Sequence, residues 1–221
     1  MLALQPDDEE AAVRVVVMQF MTLDGGTQGP GSPDEDTSEG FARGGWLVPH
    51  FDATFEARVT AWTLQADAFL LGRRTYEGFA EAWPKVTDPD DAVATALNGL
   101  PKHVVSTTLR DAPWGPAEIV RGGEVEARVG TLREAPGREV QVHGSTTLAR
   151  SLLAAGLVDE LRLVIAPVVV GTGRRLFPPD GAPAGLALLR SETTPGGLAI
   201  HEYAVAGPPE AGTYSRADRS T

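Results

Sequence analysis

The sequence contains no cysteine and no long apolar run, and each absence removes a class of function. Without cysteine the chain can form no disulfide, no thiolate nucleophile and no cysteine-ligated metal site. No run of about 18 apolar residues occurs, so we expect no membrane-spanning helix. The first residues, 1–12, are acidic and lack the basic and apolar blocks of a signal peptide. A cytoplasmic protein is the expectation that follows.

Three widespread motifs are missing as well. No G-x-G-x-x-G sequence follows a strand pattern, no Walker loop appears, and no G-x-S-x-G elbow marks a serine nucleophile. The four histidines, His50, His103, His143 and His201, are scattered without the spacing of metal ligands. We therefore expect no metal site, and any nucleotide would be bound by a less common motif.

Composition limits the domain count and the partners. The chain has 221 residues, of which 42% are hydrophobic, enough for one well-filled domain. We assign that domain to residues 13–206, with flexible tails at 1–12 and 207–221. The net charge of −11 repels nucleic acid and anionic membrane, which leaves a small-molecule substrate as the expected partner.

Strand and helix patterns alternate along the domain. They predict an α/β fold with a mostly parallel central sheet flanked by helices and an antiparallel C-terminal hairpin. A long Gly-, Pro- and acid-rich loop over 24–45 interrupts the alternation, and loops of this length are usually functional or disordered. Strands are predicted at 13–21, 68–71, 103–107, 117–120, 140–143 and 161–166, helices at 52–66, 74–82, 90–97, 124–134 and 146–155, and the hairpin at 186–191 and 198–205.

The most informative segment runs from Asp67 to Glu77. It reads as an apolar strand, then Gly72, Arg73, Arg74 and Thr75, then a helix start. Backbone N–H groups at a helix start are unpaired and partly positive, and two guanidinium groups beside them suit a phosphate. In so acidic a chain, this local positive charge favours a nucleotide cofactor.

A second strand, glycine and helix start follows over 140–148. Gly144 allows a ligand to approach the backbone, while Ser145, Thr146 and Thr147 can cap the helix or donate to phosphate. An ordinary capped turn would give the same pattern. Two such helix starts after parallel strands can, however, face one crevice, where open α/β sheets bind ligands.

A third segment places hydroxyl groups at the end of a predicted strand. Ser106 and Thr107 suit the ribose of an adenosine or its phosphate, and they equally suit a plain turn. Gly171 and Gly173 predict a bend after the last parallel strand, with Arg174 and Arg175 beside it.

Five short segments of the sequence, taken together in their order and spacing, resemble a known family. They resemble the dihydrofolate reductase fold, and more closely the relatives that match the reductase domain of the bifunctional riboflavin biosynthesis deaminase-reductase, over about residues 13–205. The pieces are Thr22-Leu23-Asp24-Gly25, Leu71-Gly72-Arg73-Arg74-Thr75-Tyr76-Glu77, Val142-His143-Gly144-Ser145, the stretch from Leu152 to Leu161, and Pro167 through Gly171, Gly173, Leu176 and Phe177.

The resemblance implies NADPH as cofactor. It places the pyrophosphate at the two glycine turns, the adenosine 2′-phosphate near Ser106 and Thr107, and the nicotinamide against the first strand near Phe20. Where dihydrofolate reductases often carry Gly-Gly-Gly-Arg, this chain has Gly-Ser-Thr-Thr, so NADPH and NADH both remain open. The implied cofactor residues are Phe20, Gly72, Arg73, Arg74, Thr75, Ser106, Thr107, Gly144, Ser145, Thr146, Thr147 and Leu148.

On the substrate side the resemblance implies a carboxylate and aromatic neighbours. Asp52 corresponds to within about one position to the pterin-binding carboxylate, and Asp24 has a rival claim. As alternatives, Asp52 is a helix N-cap and Asp24 a turn former. Trp46 and Phe51 lie beside Asp52 in sequence and are implied substrate neighbours, with the loop over 26–45 in the position of a lid.

These points predict an NADPH-dependent reductase that transfers a hydride to a pterin-like or ribosylaminopyrimidine-like heterocycle. The alternatives are a dihydrofolate reductase proper and a pyridine-nucleotide-binding protein without turnover. The acidic residues at 34–39 would repel a folate polyglutamate, which weakens the first alternative. Family analogy also implies a homodimer, formed through the closing hairpin at 186–205.

Overall fold

A computed structural model describes residues 12–214, which contain eight strands and five α-helices. Of the predicted tails at 1–12 and 207–221, residues 1–11 and 215–221 lie outside this range. The strands are β1 (Arg14–Thr22), β2 (Ala66–Gly72), β3 (Lys102–Val105), β4 (Ala117–Val120), β5 (Glu139–His143), β6 (Glu160–Ala166), β7 (Leu186–Thr193) and β8 (Ala199–Val205). The helices are α1 (Ala53–Thr63), α2 (Arg73–Ala82), α3 (Ala92–Gly99), α4 (Val125–Arg133) and α5 (Thr146–Ala154). Across the same 12–214 range, no helix combines the length and apolar character needed to cross a bilayer.

All eight strands form one sheet in the order β4-β3-β2-β5-β1-β6-β8-β7. The strands from β1 to β6 run parallel, whereas β8 is antiparallel to both of its neighbours, β6 and β7. This confirms the predicted mostly parallel sheet with an antiparallel C-terminal hairpin.

The chain reverses its direction across the sheet between β2 and β5. From β2 it moves outward to β3, whereas from β5 it crosses β1 to reach β6 on the other side. Right-handed crossovers then place the helices that follow these two strands on opposite faces of the sheet. The carboxyl ends of β2 and β5 are neighbours and flank the switch point where open α/β sheets bind ligands.

Alternation along β1 separates two apolar cores. Val15 and Val17 pack on the face covered by α4 and α5, whereas Met18 packs on the opposite face with Phe55 and Trp62 of α1. Because both faces are covered, β1 reads in sequence as a continuous apolar run.

A buried charge network fixes the relative register of β5, β1 and β6. Arg162 is 2% exposed and holds both carboxylate oxygens of Glu139, at 2.6 and 2.9 Å, and one of Glu160, at 2.7 Å. Arg14 bonds both of the same carboxylates from the edge of the network. The three strands whose carboxyl ends approach the switch point are therefore held together at their amino ends.

Several predicted boundaries differ from the structure by a few residues. The strand predicted at 103–107 ends at Val105, because the Ser106 hydroxyl accepts the N–H groups of Thr108 and Leu109 and closes a turn. The helix predicted to reach Ala66 ends at Thr63.

The loop over 24–45 is closely tied to the body. The Gly45 N–H donates to Gly29 O at 2.7 Å, and the Trp46 indole donates to Gln28 O at 2.9 Å. These bonds join the two ends of the loop, and the Thr27 N–H ties the loop to the segment after β6 by donating to Arg174 O at 2.8 Å.

Candidate functional site

The two glycine turns predicted to face one crevice are in direct contact. The Gly72 N–H, at the end of β2, donates to the Ser145 hydroxyl at 2.8 Å. From the other side, the Ser145 N–H donates to the Thr75 hydroxyl oxygen at 3.1 Å, and the two hydroxyls are 2.8 Å apart. The starts of α2 and α5 therefore form one continuous surface at the switch point.

The backbone at these turns is shaped for close approach. Gly144 and Ser145 are both left-handed, with φ of 53° and 54°, a conformation that Gly adopts freely and Ser rarely does. A Cβ added to Gly72 would lie 3.2 Å from the Ser145 hydroxyl, so a larger residue there would force the Ser145 side chain to shift.

The α2 and α5 starts differ from the starts of α1 and α3. Asp52 caps α1 by accepting from Phe55 N, and Asp91 caps α3 by accepting from Ala94 N. The N-cap of α2 is Gly72, which has no side chain, and the hydroxyl of the α5 N-cap, Ser145, is committed to Gly72 and Thr75. First-turn N–H groups without a side-chain cap, beside hydroxyls and guanidinium groups, are the donors that an anionic diphosphate requires. The donor set thus fits the diphosphate of NADPH.

The two predicted phosphate-binding arginines point in different directions. Arg73 lies along α2 and pairs with Glu77 at 3.0 Å. Arg74 instead faces the loop over 24–45, where it donates to the Ser38 hydroxyl at 2.9 Å. Only Arg74 lies toward the loop side of the crevice.

The remaining cofactor predictions fall into two groups. The Thr146 hydroxyl is 2.7 Å from the Thr27 hydroxyl, and Thr147 is exposed in the first turn of α5, so both can reach a ligand at the turn. The side chain of Leu148 packs in the apolar core beneath α5, so only the backbone of Leu148 is available to a ligand.

At the end of β3, Ser106 is 6% exposed and its hydroxyl is committed to the turn it closes, whereas Thr107 is exposed. The structure therefore leaves Thr107 as the more accessible hydroxyl of this pair.

Three aromatic rings form a column beside the end of β1. Phe51 is 46% exposed and stacks on Phe55 with ring centroids 4.8 Å apart, and the Phe20 ring meets Phe55 edge-on at 5.7 Å. Trp46 is 6% exposed and its indole anchors the loop at Gln28. Phe51 thus offers an open ring face, whereas Trp46 is part of the loop's support.

Asp52 is occupied on both oxygens. It accepts the N–H of Phe55 at 2.9 Å and that of Gly196, in the β7–β8 turn, at 2.6 Å. The hydrogen bond from Phe55 is the main cause that lowers the pKa of Asp52, and the bond from Gly196 adds to it. The carboxylate is therefore ionised at neutral pH and holds a helix start to a hairpin.

Asp24 is also occupied by hydrogen bonds, between the end of β1 and the loop after β6. It accepts from the Thr22 hydroxyl at 2.6 Å and from Gly171 N at 2.9 Å, and Val170 N lies 3.2 Å away. The hydrogen bond from Thr22 is the largest cause that lowers its pKa. Since Asp24 and Asp52 both favour the charged form, neither is suited to donate a proton at neutral pH.

The sequence did not single out Arg174 and Thr27 as site residues. The Thr27 N–H and hydroxyl both donate to Arg174 O, at 2.8 and 3.0 Å, which brings the bend after β6 next to the start of α5. The available signal was the pair of arginines beside a Gly-rich bend that follows a parallel strand.

Comparisons with known proteins agree with the fold. A family model for the RibD C-terminal domain matches residues 13–200. The uncharacterized protein YyaP of Bacillus subtilis (strain 168) is 28% identical over 166 residues, which cover 74% of this chain and 80% of that protein. A pyrimidine reductase-like protein from Corynebacterium diphtheriae NCTC is similar in structure, with a TM-score of 0.58, 16% identity, and coverage of 88% of this chain and 92% of that one. Dihydrofolate reductase from Schistosoma mansoni is similar with a TM-score of 0.56, 18% identity, and coverage of 88% and 100%.

Proposed function

The chain belongs to the RibD C-terminal domain family, and from that premise we propose that it is an NADPH-dependent reductase acting on a small heterocycle of the pterin or ribosylaminopyrimidine type. The observation that carries the proposal is the contact between Gly72 and Ser145, which joins two helix starts into one anion-binding surface at the switch point. The dihydrofolate reductase and the pyrimidine reductase-like protein of similar fold support the same reaction class.

In this proposal the crevice residues hold the cofactor by its diphosphate. The first-turn N–H groups of α2 and α5, the hydroxyls of Thr146 and Thr147, and the Arg74 guanidinium donate to it, and Arg73 becomes available if it leaves Glu77. When bound, NADPH supplies the hydride. Phe20, near the carboxyl end of β1, provides an apolar surface beside the crevice for the nicotinamide ring of the cofactor.

The substrate site that we propose is the aromatic column. The exposed ring face of Phe51 and the edge of Phe20 suit a flat heterocycle, which stacks without needing a hydrogen-bond partner from the rings. Asp24 and Asp52 contribute through their negative charge, which favours a protonated substrate, since both are ionised and committed to backbone donors.

A second candidate function follows from those two carboxylates. The oxygens of both carboxylates already accept from backbone N–H groups, so neither carboxylate is an obvious proton donor. A site without a proton donor is what we expect of a protein that binds a pyridine nucleotide without turnover. Oxidation of NADPH in the presence of dihydrofolate or a ribosylaminopyrimidine would exclude it, and tight binding without oxidation across such a panel would favour it.

We also propose a homodimer formed through the closing hairpin. Strand β7 lies at the edge of the sheet, with Leu186, Leu188 and Leu189 exposed by 39%, 57% and 57%. An exposed edge strand with apolar side chains is a surface that proteins usually cover.

The test of cofactor binding is a thermal-shift titration with NADPH, NADH and NADP⁺. A ligand at 100 times its Kd should stabilise the protein by about 2.7 kcal/mol. Arg74→Ala should reduce the NADPH shift, whereas Arg138→Ala, a surface arginine paired with Asp67, should leave it unchanged. An NADPH shift that is identical in the wild type and in Arg73→Ala and Arg74→Ala variants would contradict the diphosphate assignment.

A further inference from the structure

Two guanidinium groups from distant parts of the chain converge on one hydroxyl. Arg74, at the start of α2, donates to the Ser38 oxygen at 2.9 Å, and Arg174, in the bend after β6, donates to the same oxygen at 3.0 Å. Arg174 also bonds Glu39 at 3.1 Å and pairs with Asp36. Arg74 lies 3.9 Å from each of those two carboxylates. We name residues 36–39 the acidic segment.

The acidic segment is held firmly in this position. Gln28 is 4% exposed, and its side-chain amide donates to Asp36 O at 3.1 Å and Ser38 O at 3.0 Å. Glu39 is left-handed, with φ of 61°, and shares this unfavourable conformation with Ser145 of the crevice turn. Strained residues that persist at one location are typical of functional sites.

Arg174 is part of the crevice rather than of a remote loop. Its carbonyl accepts from the Thr27 hydroxyl at 3.0 Å, and that hydroxyl lies 2.7 Å from the Thr146 hydroxyl at the start of α5. A depression of about 180 Å³ opens beside it, lined by Gln28, Glu39, Phe41, Thr172, Gly173 and Arg174. That volume is too small for a whole dinucleotide and suits a single ionic group.

We infer that Arg74 and Arg174 form an anion clamp for a phosphate or diphosphate group, and that the acidic segment occupies this clamp when no ligand is bound. The inference rests on the proposed function, because it concerns the same crevice. One hydroxyl and two carboxylates around two guanidinium groups present the oxygens that a phosphate would present. The acidic segment is thus an internal competitor, and a ligand must displace it to bind.

A phosphate group can displace the acidic segment from the two arginines. Ion pairs between partly exposed carboxylates and arginines are individually weak, and a diphosphate carries more charge on a more compact group. The Arg74 side chain is 51% exposed and Arg174 18% exposed, so the guanidinium groups need not leave the core to exchange partners.

The test removes the competitor's charge without touching the arginines. We expect Asp36→Asn and Glu39→Gln to tighten the binding of NADPH and of inorganic pyrophosphate by about threefold to tenfold, because a weak competing ion pair is lost. Arg174→Gln should weaken both by about tenfold, through the loss of a charge-assisted contact. Calorimetric titration of the full chain measures each Kd, and thermal unfolding checks that each variant folds.

Asp34→Asn is the matched control. It makes the same change of charge in the same loop, and Asp34 is exposed and takes part in none of the salt bridges found among residues 12–214. The clamp is overturned if Asp34→Asn tightens binding as much as Asp36→Asn does, or if Asp36→Asn and Glu39→Gln leave both dissociation constants unchanged.

The ligands distinguish the clamp from the proposed function. A variant-dependent response to pyrophosphate, with no NADPH binding by any variant, would support the clamp and contradict the reductase. NADPH binding that is equal in all variants, together with hydride transfer, would support the reductase and contradict the clamp. A response to ribose 5-phosphate but not to NADPH would support the clamp as a site for the phosphate of a substrate.

Discussion

At the scale of single residues, Ser145 joins the two halves of the site. Its hydroxyl accepts from Gly72 and contacts Thr75, while its N–H donates to Thr75 as well. The sequence predicted both glycine turns and their convergence on one crevice. It could not predict the left-handed backbone of Ser145, because this conformation is unusual for serine and is imposed by contacts with residues some 70 positions away in the chain.

Gly72→Ala tests this contact directly. The added Cβ would lie 3.2 Å from the Ser145 hydroxyl, and the backbone of Gly72 is otherwise acceptable for alanine, with φ of −73°. Separating the turns should weaken NADPH binding by about fivefold to 150-fold, if the overpacking cost of about 1 to 3 kcal/mol is lost from binding. Isothermal titration measures the effect.

Gly78→Ala is the control for that substitution in the same helix. A Cβ at Gly78 meets nothing within 4 Å. We expect unchanged NADPH binding and a gain of about 0.5 to 1 kcal/mol in unfolding free energy. Equal effects of the two substitutions on the NADPH Kd would contradict the role of the turn contact.

Lys102 gives a pH-dependent prediction far from the crevice. Its ammonium group is buried, donates to the carbonyls of Leu100 and Asn98, and lies 4.4 Å from the ring centre of Trp114. Burial lowers the pKa of Lys102 to about 8. In the unfolded chain lysine titrates near pH 10.4, so between these values the unfolded state binds a proton that the folded state does not, and the free energy of unfolding rises with pH.

We expect this group to contribute a rise on the order of 2 kcal/mol across that window, with the full penalty present below about pH 8. Urea unfolding at about pH 7.5 and about pH 9.5 measures it, and Lys102→Met should lack the rise. Parallel pH profiles for the wild type and Lys102→Met would show that Lys102 is charged in both states.

At the scale of secondary-structure elements, the helix starts divide by their caps. The starts of α1 and α3 are closed by the aspartates Asp52 and Asp91, whereas the starts of α2 and α5 meet at the crevice without such a cap. A side-chain cap satisfies donors that a ligand would otherwise use. Among these four helices, the capped ones support the fold and the uncapped ones form the proposed ligand site, whereas α4, which also lacks a side-chain cap, begins directly after the 3-10 turn Gly122–Glu124.

Asp52 is a test of this division. Asp52→Ala should lower the melting temperature, because α1 loses its cap and Gly196 loses an acceptor. Asp52→Asn should lower it less, since asparagine is an equally good N-cap. Hydride transfer measured with both variants separates a structural role of Asp52 from a role of its charge. If the loss of activity parallels the loss of stability, the carboxylate is structural. A loss of activity that is as large in Asp52→Asn as in Asp52→Ala would identify the negative charge as the essential feature.

The elements themselves were largely predictable from the sequence. Apolar β-branched runs and the Gly-marked turns predicted each strand and helix, with boundary differences such as the early end of β3 at Val105, before the turn that Ser106 closes. The position of the acidic segment was not predictable. It depends on ion pairs between residues far apart in sequence, such as Asp36 and Arg174, and charge patterns do not specify which partners meet.

At the scale of the whole molecule, two arginines of a strongly acidic chain meet at one place, where the acidic segment balances their charge. The net charge is −11, yet Arg74 and Arg174 converge beside the switch point of the sheet. The opposite end of the sheet, edge strand β7, carries exposed leucines. The proposed ligand site and the proposed dimer surface thus lie on different parts of the molecule.

Leu188→Glu tests the association through β7. A charge at this position should shift the protein from dimer to monomer in analytical ultracentrifugation, because an acidic side chain would be buried against its copy in an apolar interface. Val169→Glu, which is also at an exposed apolar position but in the loop after β6, should remain dimeric. A wild-type protein that sediments as a monomer at all concentrations would contradict the proposed dimer.

The most direct measurement is a crystal structure of the protein with NADP⁺. We predict the diphosphate between the starts of α2 and α5, within hydrogen-bond distance of Thr146 and Thr147, with the Arg74 side chain turned from Ser38 to the ligand. A nucleotide bound anywhere else, or a crevice that stays closed by the acidic segment at saturating NADP⁺, would contradict the central claim that these two helix starts form the cofactor site.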